Sequence, residues 1–350
     1  MTHIKNLFIA TFSLSMIVII LNHNAIAACF RYIDKTGKYI FDRQFSWANT
    51  FSEGLAAVEI SSCQWGFIDK TGKVVINPQF ESTRRFSEGL AAVRINNKYG
   101  YIDKAGTLVI KPQFDDTIEF SEGLAEVRVG NKWGYIDKTG KLVIRPQFDE
   151  AGKFSEGFAA VMLSEDKWGY IDKTGKFIIQ SWFTFARSFS EGLAAVSIDI
   201  EEGPDLPRPG NKGYIDKTGK LVIKPQFRWA NNFSNGLAVV YTDNKAGYID
   251  KNGKYVIGPK LWKLAENFSE GLAAVHNREE KSGYINKAGE YVISPQFDYA
   301  ENFSEGLAAV REYGRDNKWG YIDKTGKFVI NPQFFHAYEF IDGIALIRCD

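Results

Sequence analysis

The sequence predicts an all-β protein built from tandem repeats of about 35 residues, arranged like the blades of a propeller. Three observations carry that expectation. The phrase KWGYIDKTGK at 132–141 recurs in near-copies along the chain. Short runs rich in aromatic and β-branched residues alternate with turns rich in Asp and Gly. Apolar residues occupy both faces of those runs, as in sheets covered on both sides.

The Asp of the YID phrase sets the phase. It falls at Asp34, Asp69, Asp103, Asp137, Asp172, Asp216, Asp250, Asn286 and Asp323, in steps of 35, 34, 34, 35, 44, 34, 36 and 37 residues. Nine repeats follow, at about 30–62, 63–97, 98–131, 132–166, 167–210, 211–245, 246–281, 282–317 and 318–350. The long step contains IEEGPDLPRPG at 200–210, read from its Pro and acidic content as an inserted surface loop.

Within a repeat the elements follow in order. WGYID reads as a strand, DKTGK as a turn and LVI as a second, antiparallel strand. Asp69 and Gly72, Asp103 and Gly106, and Asp137 and Gly140 are structural turn residues, with Asp accepting backbone amides and Gly taking the left-handed position. GLAAV leads by a short polar link to the next WGYID. The chain must therefore return between LVI and GLAAV. The segment PQFDDTIEF at 112–120 is assigned to that strand, with Pro at its first residue, where no ladder donor is needed. Small Gly and Ala residues are expected to let neighbouring sheets approach. Four-stranded units stacked face to face describe a propeller; nine units exceed the usual number, so an open β-solenoid or spiral is the alternative.

The pattern KWGYIDKTGKxVIxPQF…FSEGLAAV resembles the WG-repeat (KWG-repeat) proteins of bacteria over essentially all of residues 30–348. The resemblance implies a β-repeat architecture, a bacterial origin and no assigned biochemistry. Repeats six to eight lose the Trp (NKGYID, KAGYID, KSGYIN), and repeat one, FRYID, lacks the Trp-Gly pair.

Residues 1–27 read as a signal peptide. Lys5 supplies the basic start, Leu7 to Leu21 the apolar stretch and Ala25-Ile26-Ala27 the cleavage site. The protein is expected in the periplasm or outside the cell, with no membrane insertion of the mature body. In the alternative, IAAC at 26–29 is a lipoprotein box and Cys29 carries a lipid anchor. Removing the signal, with Lys5, takes 43 basic residues to 42 against 42 acidic ones. That neutral balance argues against a nucleic-acid partner. Of the three cysteines, Cys349 is expected to pair with Cys29 or Cys63 if the ends of the array meet, and Cys29 with Cys63 if they do not.

Catalysis is not expected, nor any cofactor or metal. His276 and His336 are the histidines left after signal removal, and neither belongs to a catalytic or metal motif. Turn lysines (Lys35, Lys38, Lys70, Lys73, Lys138, Lys141) and the FSEG glutamates (Glu53, Glu88, Glu122, Glu156, Glu191, Glu270, Glu305) are expected on one solvated rim. The position two residues after QF is not held constant: it reads Trp47, Ser82, Asp116, Glu150, Phe185, Trp229, Leu264, Tyr299 and His336. Trp182 and Trp262 lie near the same site in repeats five and seven. Trp47, Phe185, Trp229, Trp262 and Tyr299 are candidate contacts to a protein or glycan partner. The functional expectation is an exported, non-enzymatic scaffold that binds a protein or envelope component. A carbohydrate-binding module is the alternative, and a glycosidase with carboxylates from different blades the third reading.

Overall fold

Asp, Thr and Gly write the first hairpin of each repeat. In repeat four the Asp137 carboxylate accepts the Thr139 amide (2.9 Å), the Thr139 hydroxyl (2.6 Å) and the Lys141 amide (3.1 Å). Gly140 closes the turn on the Asp137 carbonyl at 2.9 Å with φ of +85°. Asp69 with Gly72 and Asp103 with Gly106 repeat the geometry, although Ala105 replaces the threonine and forgoes the hydroxyl bond. This computed structural model describes residues 29–61, 63–164, 167–198, 211–243, 245–312 and 317–349. The expected signal peptide at 1–27 and the loop at 200–210 lie outside them.

The strand after the turn is longer than LVI. It runs on through the Pro, as in Leu142–Phe148, and pairs with Lys132–Asp137 across a bulge. Trp133 and Tyr135 are two residues apart but face Phe148 and Ile144, four apart. Pro146 sits in the surplus, where a missing amide costs no ladder bond. This corrects the sequence reading, which began a separate strand at that Pro. The bulge also explains the glycine of WG. A Cβ on Gly134 would lie 2.5 Å from the Ile144 carbonyl oxygen and 2.6 Å from the Pro146 nitrogen. The glycine makes room for its own sheet partner, not for a neighbouring sheet. In repeat five Ser181 stands where the Pro is expected, and the strand continues unbroken over Phe177–Ala186 into the next blade.

The returning strand shrinks to two residues, such as Ser82–Thr83, and pairs with GLAAV of its own repeat. Each sheet is therefore staggered against the sequence repeat. Blade 2 is ordered Ser82–Thr83, Leu90–Ile95, Lys98–Asp103 and Leu108–Phe114, half from repeat two and half from repeat three. The same offset applied to every repeat gives nine blades, and no sheet closes on itself. The array does. Phe30–Asp34 of repeat one pairs with Ile344–Arg348 of repeat nine over five residue pairs, so blade 9 is completed by the other end of the chain. Cys349 donates its amide to the Cys29 carbonyl at 2.7 Å and is disulfide-bonded to Cys29, with the Cα atoms 5.2 Å apart. Cys63 is exposed and unbonded.

Packing follows the ring. Tyr101 and Ile102 point to opposite faces of blade 2 and join two different cores, each shared with a neighbouring blade. The turn glycines interlock the same way: Gly140 sits over Ile110, Gly326 over Ile293, and Gly37 over Ile330 across the closure. One core position breaks the rule. Glu126 stands where most repeats have the second Ala of LAAV; it is 1% exposed, and neither carboxylate oxygen has a hydrogen-bond partner. Burial, with Glu119 adding to it, pushes the carboxyl up to about 7.

An unfolded Glu titrates near 4.3, so below about pH 4 both states hold the proton and ionisation costs nothing. As pH rises from about 4 to about 7 the folded state loses stability, by about 4 kcal/mol in full. Glu126→Ala is expected to raise the melting temperature by several degrees at pH 8 and to leave it nearly unchanged at pH 4. Thermal unfolding monitored by circular dichroism at the two pH values checks this; an equal shift at both would reject an ionisation cost.

Candidate functional site

The two ends of the ring differ in kind. At the turn end, each FSEG phrase forms a two-residue hairpin loop. Ser87 and Leu90 exchange backbone bonds, and Glu88 and Gly89 both have positive φ, 53° and 87°. Such type I′ loops favour Asn-Gly, so a Glu there carries backbone strain. Its carboxylate has a use. Glu88 accepts the Gly123 amide at 3.0 Å and the Lys138 ammonium at 3.0 Å, both on the next blade. The pattern runs round the ring: Lys104 on Glu53, Lys173 on Glu122, Lys217 on Glu156, Lys251 on Glu191, Lys324 on Glu270, Lys35 on Glu305 and Lys70 on Asp342. Partial burial works against the charge on Glu53, but Lys104 and the Gly89 amide together hold its carboxyl below the usual range. In repeat six Asn235 takes the loop, and Lys287 reaches its carbonyl oxygen at 3.3 Å instead. This rim is occupied with holding blades together.

The link end is different. Inner strands line the axis, held from behind by a buried tyrosine in every repeat but the second, where Phe67 takes the place: Tyr135 donates to the Gly152 carbonyl (2.8 Å), Tyr214 to Asn231 (2.7 Å) and Tyr284 to Glu301 (2.6 Å). The variable residues start these strands and pair across to the link. On one side they are ionic, with Asp116 between Arg84 (3.2 Å) and Arg128 (3.8 Å). On the other they are aromatic. Trp229 lies 5.8 Å from Phe185, with Arg187 5.0 Å and Lys212 5.7 Å from its ring. Tyr299 carries Arg311 at 4.2 Å and neighbours Trp319, which contacts His336 at 4.8 Å. Trp229 and Tyr299 remain 43% and 54% exposed.

The structure thus brings Phe185 and Trp229 together and places Tyr299 further along the same mouth. Trp47, 57% exposed, is set apart and stacks on Phe30 at 5.6 Å. Trp262 is a correction. Repeat seven carries one extra residue before it, which moves Trp262 into the place of the QF phenylalanine. It is 3% exposed, packs on Tyr248 and donates to the Tyr291 hydroxyl at 3.0 Å, so it fills the core.

Among the described residues, two cavities open on the aromatic side of these inner strands, and a third of about 360 Å³ lies by Thr83, Arg84 and Tyr338. One of about 930 Å³ spans blades 5 to 7, lined by Arg187, Arg228, Trp229, Tyr241, Glu266 and Arg278 among others. One of about 300 Å³ lies beside it, with Leu264, His276, Ser282 and Tyr299 in its wall. His276 links Ser282 (2.9 Å) to Glu280 (3.4 Å), a chain resembling a nucleophile relay. Ser282 stands in the place of the WG tryptophan and is 5% exposed, which suits a polar filling of that gap better than attack on a substrate. The arginines went unnoticed in the sequence, yet a signal was there. The residue after QF is acidic at Glu81, Asp115, Asp149 and Asp298, but Arg228 and Lys263 in repeats six and seven.

A family model described as "WG containing repeat" matches nine stretches: 30–61, 65–99, 99–133, 133–167, 168–199, 213–245, 247–277, 283–315 and 319–350. No curated protein matches the sequence. Among solved structures, a eukaryotic initiation factor is similar at a TM-score of 0.56 and 12% identity, covering 86% of this chain and 94% of its own. BamB from Moraxella catarrhalis is similar at a TM-score of 0.43 and 10% identity, covering 78% and 97%. The computationally designed Ika8 protein gives 0.44 and 11%, covering 78% and 94%. At such identities these likenesses concern the fold alone.

The rim account predicts an ordering. Glu88→Asn should stay within about 1 kcal/mol of the parent, because relief of backbone strain offsets a surface ion pair. Glu88→Ala loses the pair and keeps the strain, and should be about 1 kcal/mol less stable than Glu88→Asn. Denaturant melts of the three proteins decide it; equal losses in both variants would reject the trade-off.

Proposed function

Since this chain belongs to the WG-repeat family, we propose that it is an exported, non-enzymatic scaffold that binds a protein or envelope component at the link-end mouth of its ring. One observation carries the reading. Residues the repeat holds constant are spent on hairpins, cores and the ion-pair rim, whereas residues it lets vary gather as exposed aromatics and cations beside two cavities. Exposed Trp and Tyr on a rigid framework give large contact area at low entropy cost. Export draws support from the bonded pair Cys29 and Cys349, since disulfides persist in oxidising compartments. The absence of catalysis is part of the proposal, favoured by the burial of Ser282, 5% exposed in the place of the WG tryptophan.

Retention of fractionated envelope material on immobilised protein tests the assignment. Trp229→Ala with Tyr299→Ala should lower retention about ten-fold, the loss expected of removing hot-spot aromatics, without lowering the melting temperature. Trp182→Ala, on the outer edge and 61% exposed, should change nothing. Loss with the outer-edge variant and not with the mouth variant would overturn it.

A further inference from the structure

We propose that the cavity across blades 5 to 7 binds an acidic saccharide, its carboxylates held by Arg187, Arg228 and Arg278 and a sugar ring resting on the exposed part of Trp229. The inference rests on the mouth being the recognition surface and adds the chemistry of what it takes.

Charge comes first. Three guanidiniums line one cavity, and none of them forms an ion pair among the described residues. Lys263, also in the wall, is taken up by Glu280 at 2.7 Å, and among the described lining residues Glu266 is the carboxylate facing the three. Arg187 lies over the Trp229 ring at 5.0 Å in the cavity wall. A planar guanidinium fork in a concave site suits a carboxylate. Repeat comparison sharpens the point. Where other repeats place an acidic residue directly after QF, as Asp149 against Lys132 at 2.5 Å, repeat six places Arg228, so this wall of the cavity carries a cation where others carry an anion.

Shape then favours a saccharide. The volume of about 930 Å³ lies within the range of small-ligand sites. Trp229 donates its indole N–H to Asn231 at 3.0 Å, which fixes the ring at the cavity wall, 43% exposed. An acidic peptide binding as an added strand would need an edge, and the inner strand here, Trp229–Ala230, is two residues long. Nucleic acid is disfavoured by a formal charge of +1 on the whole chain.

Calorimetry with the intact mature protein provides the test, using oligomers of galacturonate and glucuronate, a neutral galactose oligomer of equal length and a glutamate hexapeptide. Binding of an acidic oligomer, weakened by salt and at least ten-fold weaker in Arg228→Gln with Arg278→Gln, is the expected result, with no binding of the neutral oligomer. Arg145→Gln on an outer strand serves as the control. Equal binding of the neutral oligomer, an unchanged double variant, or no binding of either acidic oligomer at millimolar concentration would overturn the proposal. Equal binding of the glutamate peptide would overturn the saccharide assignment. Envelope retention judges the mouth separately, so that reading stands or falls by its own experiment.

Discussion

Five residue pairs between Phe30–Asp34 and Ile344–Arg348 turn a row of sheets into a ring. Without them blade 9 lacks Phe30–Asp34, one of its three strands, and the cores on either side of it lose Tyr32 and Ile33. The stagger between blade and repeat makes this closure possible: because every sheet joins two consecutive repeats, the first and last each hold half a blade. Any cut at a repeat boundary would strand two halves. The disulfide between Cys29 and Cys349 locks a contact that strand pairing already makes. In the chain-entropy description, a bond enclosing 320 residues lowers the unfolded state's freedom by about 6 kcal/mol.

Given closure, the division of labour follows. A ring of near-identical blades requires near-identical interfaces, so the glycine beneath the bulge, the tyrosine behind the inner strand and the strained Glu of the turn recur. The Glu is the informative case, because an Asn-Gly loop would suit the backbone better. Asn235 shows the exchange: the easier turn loses its side-chain link to Lys287. The seven FSEG glutamates, all with positive φ, mark where blade-to-blade contact outweighs local comfort. Positions outside that demand, above all the starts of the inner strands, can differ from blade to blade and so can carry recognition.

Much of the architecture was legible because it is written nine times. Turn residues such as Asp137 and Gly140 announce their conformation locally, and equal spacing announces the repeat. Pro146 misled, since a Pro at the start of a strand and a Pro in a bulge look alike until the partner strand is placed. Trp262 misled for a related reason: it lies two residues from the variable Leu264, and one inserted residue places it at the core position of QF. Glu126 and Arg228 were visible as departures from the repeat, but their meaning depends on neighbours from other blades. A buried carboxylate and three arginines round one cavity are products of closure, not of spacing.

Peptide mapping of the unreduced mature protein after alkylation tests ring closure most directly. The account predicts a peptide pair joined through Cys29 and Cys349, with Cys63 alkylated in the folded protein. A bond between Cys29 and Cys63, with Cys349 alkylated, would place the ends of the chain apart and contradict the ring.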